Sequence, residues 1–233
     1  MISVIIPTLN EEGHIGDTVH YLRESVSPQM LTEIIVVDGG STDRTIRKAK
    51  KAGAQVLISA KKGRSAQMNF GALYAKGDIL YFLHADTLPP PGFDSDIANA
   101  VTTGYPAGCF KLSFNYEHWF LKANCWFTRF DFDAFRFGDQ SLFVKKATFK
   151  KSGGFCEKHL VLEDQEIIVR LKNIGRFTVV QKQVLTSART YLQNGIYKTQ
   201  AVYFLIYMMY RLGVSQSKLL SIYKKLVLQD KYG

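Results

Sequence analysis

Ile79-Leu80-Tyr81-Phe82-Leu83-His84-Ala85-Asp86 sets the frame for the rest of the chain. An apolar run stops abruptly at a His and an Asp, and Leu88 and three prolines, Pro89 to Pro91, follow. A short continuous apolar run fits a strand covered on both faces, and in open α/β sheets the ligand gathers outside the carboxyl ends of the strands. Asp86 therefore either meets a ligand in a cleft or only caps the turn before Pro89.

Upstream the same pattern recurs. Residues 2–7 read as a first strand ending at Pro7-Thr8-Leu9-Asn10, with Asn10 expected to cap a helix that runs to about Ser25. Glu33-Ile34-Ile35-Val36-Val37 is a second buried strand ending at a carboxylate, Asp38. A Gly39-Gly40-Ser41-Thr42 turn follows, with Ser41 or Thr42 expected to cap the next helix. A third strand is predicted over 55–58 and a helix from Arg64 to Ala75. Strand and helix alternating four times in about ninety residues predict a parallel, doubly wound sheet. Asp38 and Asp86 then share one sheet edge with Thr8 and Arg64, an arrangement that suggests a nucleotide pocket. No GxGxxG or GxxxxGK[ST] supports a dinucleotide site or a P-loop.

The 233 residues, 46% hydrophobic, can bury one substantial core, which excludes a disordered chain. Cys109, Cys125 and Cys156 show no CxxC spacing, so they read as reduced thiols rather than a disulfide or zinc framework. The first residues lack the pattern of a signal peptide, and a cytoplasmic protein is expected. A formal charge of +10 calls for an anionic partner. The stretch from Arg44 to Gly77 holds no Asp or Glu, but no nucleic-acid-binding signature accompanies it, and nucleic acid is not expected as a partner.

Downstream, a helix is predicted over 93–101 and a strand over 108–114, and nine aromatics then lie between Tyr116 and Phe137. They form either a core-facing helix or an acceptor-site lid or lipid-facing surface. Gly138-Asp139-Gln140 leads into a strand, Ser141 to Val144. Glu163-Asp164-Gln165-Glu166 opens a helix whose Ile167, Ile168, Leu171 and Ile174 share a face. Asp164 falls on that face and points inward, where desolvation raises the basicity of a carboxylate. Glu163 reads as a helix-start acid, and Glu166 pairs with Arg170. Short strands at 176–180 and 183–186 precede Ser187-Ala188-Arg189. In the tail, the apolar run from Ala201 to Tyr210 is too short to span a bilayer. A helix capped by Ser215 puts Leu219, Tyr223 and Val227 on one face beside lysines, for docking onto the domain or for peripheral contact with an anionic membrane.

The strings "SVIIPTLNEE" (3–12), "IIVVDGGSTDRT" (34–45), "KGRSAQMNFGALYAKGDILYFLHADT" (62–87), "GDQSLFVKK" (138–146), "GGF" (153–155) and "LEDQEI" (162–167) carry a resemblance. The chain resembles glycosyltransferase family 2, inverting enzymes of the GT-A fold. Within it, the subgroup described as radical-SAM/selenodomain-associated transferases shares "LHADT", "GDQ" and "TSAR". The resemblance implies a Rossmann-like, mostly parallel central sheet flanked by helices, with C-terminal helices. It also implies roles. Thr8 and Asp38 would hold the nucleoside, Arg64 would sit beside base and phosphates, and Asp86 would match the last carboxylate of a DxD motif, binding Mn²⁺ or Mg²⁺. His84 departs from that motif and is expected as a hydrogen-bonding neighbour of the donor. Asp139 and Gln140 would border the acceptor, Arg189 would return to the pyrophosphate, and Asp164 matches the catalytic base.

The expectation is one glycosyltransferase domain over 1–233, with a nucleotide-sugar half (1–90), an acceptor half (91–190) and a helical extension (191–233). It would move a sugar from a UDP- or GDP-sugar to a hydroxyl acceptor, lipid-linked in one version, at the inner face of the membrane. A non-catalytic nucleotide-sugar-binding protein and a sugar-1-phosphate nucleotidyltransferase are the alternatives. The second would want a Gly-rich basic stretch after the first strand, where Pro7-Thr8-Leu9-Asn10-Glu11 stands.

Overall fold

The computed structural model describes residues 1–27, 30–136 and 138–227; Phe137 of the aromatic segment and 228–233 of the expected extension lie outside them. The first half of the sheet is built from β1 (Ile2–Thr8), α1 (Ile15–Glu24), β2 (Leu31–Asp38), α2 (Thr45–Lys51), β3 (Gln55–Ile58), α3 (Arg64–Tyr74) and β4 (Ile79–Phe82). Then come β5 (Thr87–Leu88), α4 (Phe93–Thr102), β6 (Ala107–Phe114), α5 (Trp119–Phe127), β7 (Leu142–Lys145), α6 (Lys146–Ser152), α7 (Glu163–Ile174) and β8 (Phe177–Thr186). Three helices close the chain: α8 (Arg189–Asn194), α9 (Ile196–Arg211) and α10 (Gln216–Leu226).

The eight strands form one mixed sheet in the order β3-β2-β1-β4-β7-β6-β8-β5. The first four are parallel, as the alternation predicts, and β7 joins β4 antiparallel. Period-2 side-chain alternation explains why these strands read as unbroken apolar runs: both faces are covered. Val4, Ile6, Val36 and Tyr81 enter one core with α1 and α4, while Ile5, Ile35, Leu80 and Phe82 enter a second with α3 and α7. Gly71 lets α3 lie flush on the sheet, since a Cβ there would meet Ile5 Cγ2 at 2.6 Å and Val37 Cγ2 at 2.9 Å.

Three local expectations are corrected. Asn10 does not cap α1; it takes a left-handed backbone (φ 53°), and its side-chain oxygen accepts the Thr42 N–H across the gap between β1 and α2. Asp43, not Ser41 or Thr42, accepts the Thr45 N–H at the start of α2. The two short strands expected at 176–180 and 183–186 are one strand, β8, whose register with β6 slips by two residues at Gln181 and Lys182. The apolar face of α10 is settled in favour of docking onto the domain: Leu219, Tyr223 and Val227 pack with Val161, Val202 and Ile206 in a small third core.

Candidate active site

The carboxyl ends of β1, β2 and β4 meet the amino end of α3, and hydrogen bonds fix the junction. Gln67, one turn into α3 and buried, donates to the carbonyls of both Thr8 and Val37 at 2.8 Å. That pins Arg64 above the strand ends. On the other side, the Thr18 hydroxyl of α1 donates to the Ala85 carbonyl (2.6 Å), which holds the His84-Ala85-Asp86 backbone. Immediately after it, β5 pairs antiparallel with the end of β8, and the Thr87 and Thr186 hydroxyls bond at 2.8 Å. A hundred residues apart in sequence, Asp86 and Arg189 thereby face each other.

A cleft of about 380 Å³ opens here, and Arg64, His84, Asp86, Asp139, Asp164 and Arg189 all line it. Six of the nine singled-out residues therefore share one site. Its charges are arranged in pairs. Arg64 Nη1 lies 3.2 Å from Glu163 Oε1; His84 Nδ1 lies 2.8 Å from Asp139 Oδ1. Arg189 Nη2 lies between Asp86 Oδ2 (3.6 Å) and Glu11 Oε1 (3.5 Å).

Asp164 stands among these pairs on the first turn of α7. The turn is entered through Leu162, held in the left-handed region (φ 59°), a conformation that costs a branched side chain about 1 kcal/mol and that here swings the acids toward the cleft. Gln216 of α10 accepts the N–H groups of Leu160 and Val161 (3.0 and 3.1 Å), so the terminal helix braces this entry. Burial pushes the Asp164 carboxyl up from 3.8 to about 7. The neighbouring Glu163 charge adds to the rise, His84 and Arg64 oppose it, and Asp139 adds a smaller upward push. A carboxyl poised near neutrality and open to a cleft can accept a proton from a bound hydroxyl.

The other three residues do not line the cleft. Asp38 is fully buried, and its own turn takes both oxygens: Oδ1 accepts the Gly40 and Ser41 N–H groups (2.9 and 2.8 Å), and Oδ2 accepts the Ser41 hydroxyl (2.5 Å). Thr8 is buried beside it. Gln140 is turned inward to the Phe110 carbonyl (3.4 Å) and to the fully buried Arg136 (3.5 Å). Glu166 pairs with Arg170 as expected, at 2.5 Å.

Sequence reasoning passed over Glu11 and Glu163. Glu163 reads in sequence as a helix-start acid and Glu11 carries no site role there, yet both are buried and both hold a cleft arginine. The available signal was position: each stands where a connection reaches the carboxyl edge of the sheet, where polar groups face a ligand. In sequence Arg136 is one charge among aromatics, and nothing in its spacing marks it as buried.

The site suits a divalent cation of the hard, oxygen-seeking kind. Asp86 and Glu11 are oxygen donors already gathered around one positive group, the Arg189 guanidinium. Among the described residues no group of three or more His, Cys, Asp or Glu could hold a metal alone. A Mg²⁺ or Mn²⁺ ion here would take one or two carboxylates and complete its shell with phosphate oxygens and water.

The sheet with its flanking helices and this edge-on cleft define a GT-A nucleotide-sugar fold. Residues 3–150 match the family model "Glycosyl transferase family 2", and the chain belongs to that family. A glucosyl-3-phosphoglycerate synthase of Mycolicibacterium paratuberculosis is 32% identical over 115 residues, which are 44% of this chain and 34% of that protein. The chain thus aligns with only about a third of that curated relative's length. Among solved structures, S. aureus TarS 1–349 in complex with UDP superposes with a TM-score of 0.67 at 19% identity, over 80% of this chain and 60% of that one. The mannosyltransferase PcManGT from Pyrobaculum calidifontis, in complex with GDP-Man and Mn²⁺, gives 0.66 at 19% identity over 88% and 61%. At such identities the likeness speaks to the fold.

Proposed function

We propose that this chain is a metal-dependent, inverting hexosyltransferase moving a sugar from a UDP- or GDP-linked donor to a hydroxyl acceptor. The observation that carries the reading is the Asp164 carboxyl, raised to about 7, in the same cleft as Asp86 and two arginines. A base and a charge-stabilising end in one cleft are what a single displacement needs.

The acceptor hydroxyl gives its proton to the Asp164 carboxylate as its oxygen bonds to the anomeric carbon. The bond from that carbon to the diphosphate oxygen breaks from the opposite face, which inverts the centre and releases the nucleoside diphosphate. Arg64 and Arg189 exchange their carboxylate partners for the departing phosphates, the electrostatic help that leaving-group stabilisation requires. Asp86 would hold Mn²⁺ or Mg²⁺, which when bound supplies positive charge to the diphosphate. The His84–Asp139 pair lines the same cleft as Asp86 and Asp164 and would orient donor and acceptor hydroxyls. Thr8 and Asp38, which do not line the cleft as it stands, would serve the nucleoside from beneath the turn after β2, Asp38 reaching a base N–H only by giving up the Ser41 hydroxyl. Gln140 supports the acceptor side through Arg136.

The reading treats the chain as one domain of two halves with a helical extension, and keeps the radical-SAM/selenodomain-associated subgroup on the strength of "LHADT", "GDQ" and "TSAR". The nucleotides bound by TarS and PcManGT support the donor class. A cytoplasmic setting accords with three free cysteines. An acceptor with a lipid tail accords with the largely apolar group Tyr203, Phe204, Ile206, Tyr207 and Tyr223 among the residues that line the cleft.

Calorimetric titration of UDP, GDP and their sugars, with and without Mn²⁺, tests the donor site. Metal-dependent binding of one nucleotide that disappears in Asp86→Ala is the expected outcome. Absence of binding under every metal condition overturns the reading.

A further inference from the structure

Two helices of this molecule carry apolar residues on an exposed face as well as on the face they bury. On α9, Tyr197, Ala201, Phe204, Leu205, Met208 and Leu212 follow the spacing of a single helix face, and every one is exposed, Phe204 at 62% and Leu212 at 79%. On α5 and the loop after it, Trp119, Trp126, Phe127, Phe130 and Phe132 are exposed as well, Trp119 at 67%. The two faces adjoin. Phe120 meets the Tyr197 ring with centroids 4.9 Å apart, Trp119 lies 6.5 Å from the same ring, and Asn124 bonds Gln200 at 3.4 Å. Contiguous apolar surface on this scale marks an interaction site rather than ordinary exposure.

The surrounding charge selects the occupant. The sequence holds no Asp or Glu from Ile167 to Gln229, a stretch that includes Lys198 and Arg211 on α9 and Lys218 on α10. Beside α5, Arg129 lies over the Trp126 ring at 4.6 Å. The acids nearest α5 are engaged: Glu117 with Lys122 (3.1 Å), and Asp131 and Asp133 with Lys172 (2.8 and 2.6 Å). Tryptophan, tyrosine and aliphatic side chains bordered by cations are the composition of a helix lying in a lipid headgroup layer. Among the described residues no helix is long and apolar enough to cross a membrane, so the surface lies on a bilayer rather than through it.

The geometry points to a docking face for an anionic lipid bilayer, formed by α5 and α9. The basic tail helix α10 is not its membrane-contacting element, because its apolar residues are spent on packing against α9 and Val161. Phe204 belongs both to this face and to the cleft wall, so the part of the cleft that it lines would open at the bilayer surface. The proposal deepens the reading of a lipid-tailed acceptor; it rests on that reading for the contents of the cleft and stands without it for the docking itself.

The chain offers its own probe. It has two tryptophans, Trp119 and Trp126, and both lie on the face. Tryptophan emission would be followed as vesicles of phosphatidylglycerol and phosphatidylcholine, plain and bromine-labelled, are added to the full-length protein at low and at physiological salt. The expected result is a blue shift with quenching by the brominated lipid, weakened by salt and by removing phosphatidylglycerol. The double substitution Leu205→Glu and Met208→Glu, on exposed positions outside the cleft, should reduce partitioning at least about tenfold while nucleotide titration shows the fold intact. No spectral response to anionic vesicles at low salt overturns the proposal, as does a double variant that binds vesicles like the parent. A blue shift that rises with protein concentration without lipid, together with a dimer in sedimentation, also overturns it and assigns the face to a second copy. Vesicle binding without nucleotide binding upholds the docking face and strikes the glycosyltransferase reading instead.

Discussion

The two walls of the cleft are made on different principles. The charged wall, at the ends of β1, β2 and β4, is ionic and braced by hydrogen bonds: Gln67 spans two strand ends, Thr18 holds Ala85, and each arginine already has a carboxylate. The aromatic wall, from α5, α8, α9 and α10, presents Tyr191, Tyr203, Phe204 and Tyr207 to the cleft, and its helices share small cores of their own around Leu219 and Tyr191. A wall of paired charges can bind a diphosphate with little rearrangement, since the cations only exchange partners. A wall of aromatics selects by shape and burial, and its exposed rim leaves part of that burial to whatever the molecule meets. Asp164 stands where the two join, which accounts for its raised proton affinity: apolar burial from one side and carboxylates from the other.

That contrast can be broken at several points. The largest effect belongs to Asp164→Asn, which should lower release of nucleoside diphosphate from the sugar donor by about 10³-fold, within the range for loss of a general base, while donor binding stays within a factor of about two. Asp86→Ala should do the reverse, removing most of the metal-dependent nucleotide affinity seen by calorimetry. Leu219→Ala, in the small C-terminal core, should cost about 2–4 kcal/mol in chemical denaturation, and a separate early transition with donor binding preserved would show that the walls unfold independently.

A smaller effect concerns stability and pH. Because the folded form keeps the Asp164 proton up to about 7 and the unfolded chain releases it near 3.8, this group makes stability fall as pH rises between those values. Thermal melting of Asp164→Asn across that window should show a flatter decline than wild type.

The same division governs how much could be read from the sequence. The charged wall was legible as a sheet edge because parallel strands announce themselves as unbroken apolar runs, and each run is broken by a polar residue at its end: Thr8, Asp38, Asp86. Asp164 was legible from its place on an apolar helix face. The pairings were not: Arg189 reaches Asp86 only because β5 zips onto the end of β8, a contact across about a hundred residues made by a strand of two residues with no local signal. Gln140 misled because a polar pair before a strand reads as a surface turn, whereas the buried Arg136 draws it inward. The aromatic stretch 116–137 gave either answer, since a helix with an apolar stripe looks the same in sequence whether the stripe faces a core or the outside.

The most direct test of the central claim is the pH dependence of kcat/KM for donor turnover in the wild type, which reports the proton affinity of the free enzyme's base. An acid limb of unit slope centred near 7, moving to lower pH in Glu163→Gln where the adjacent negative charge is gone, is the predicted result. A rate that stays flat down to the ordinary carboxylate range would mean that Asp164 is not the group that takes the proton.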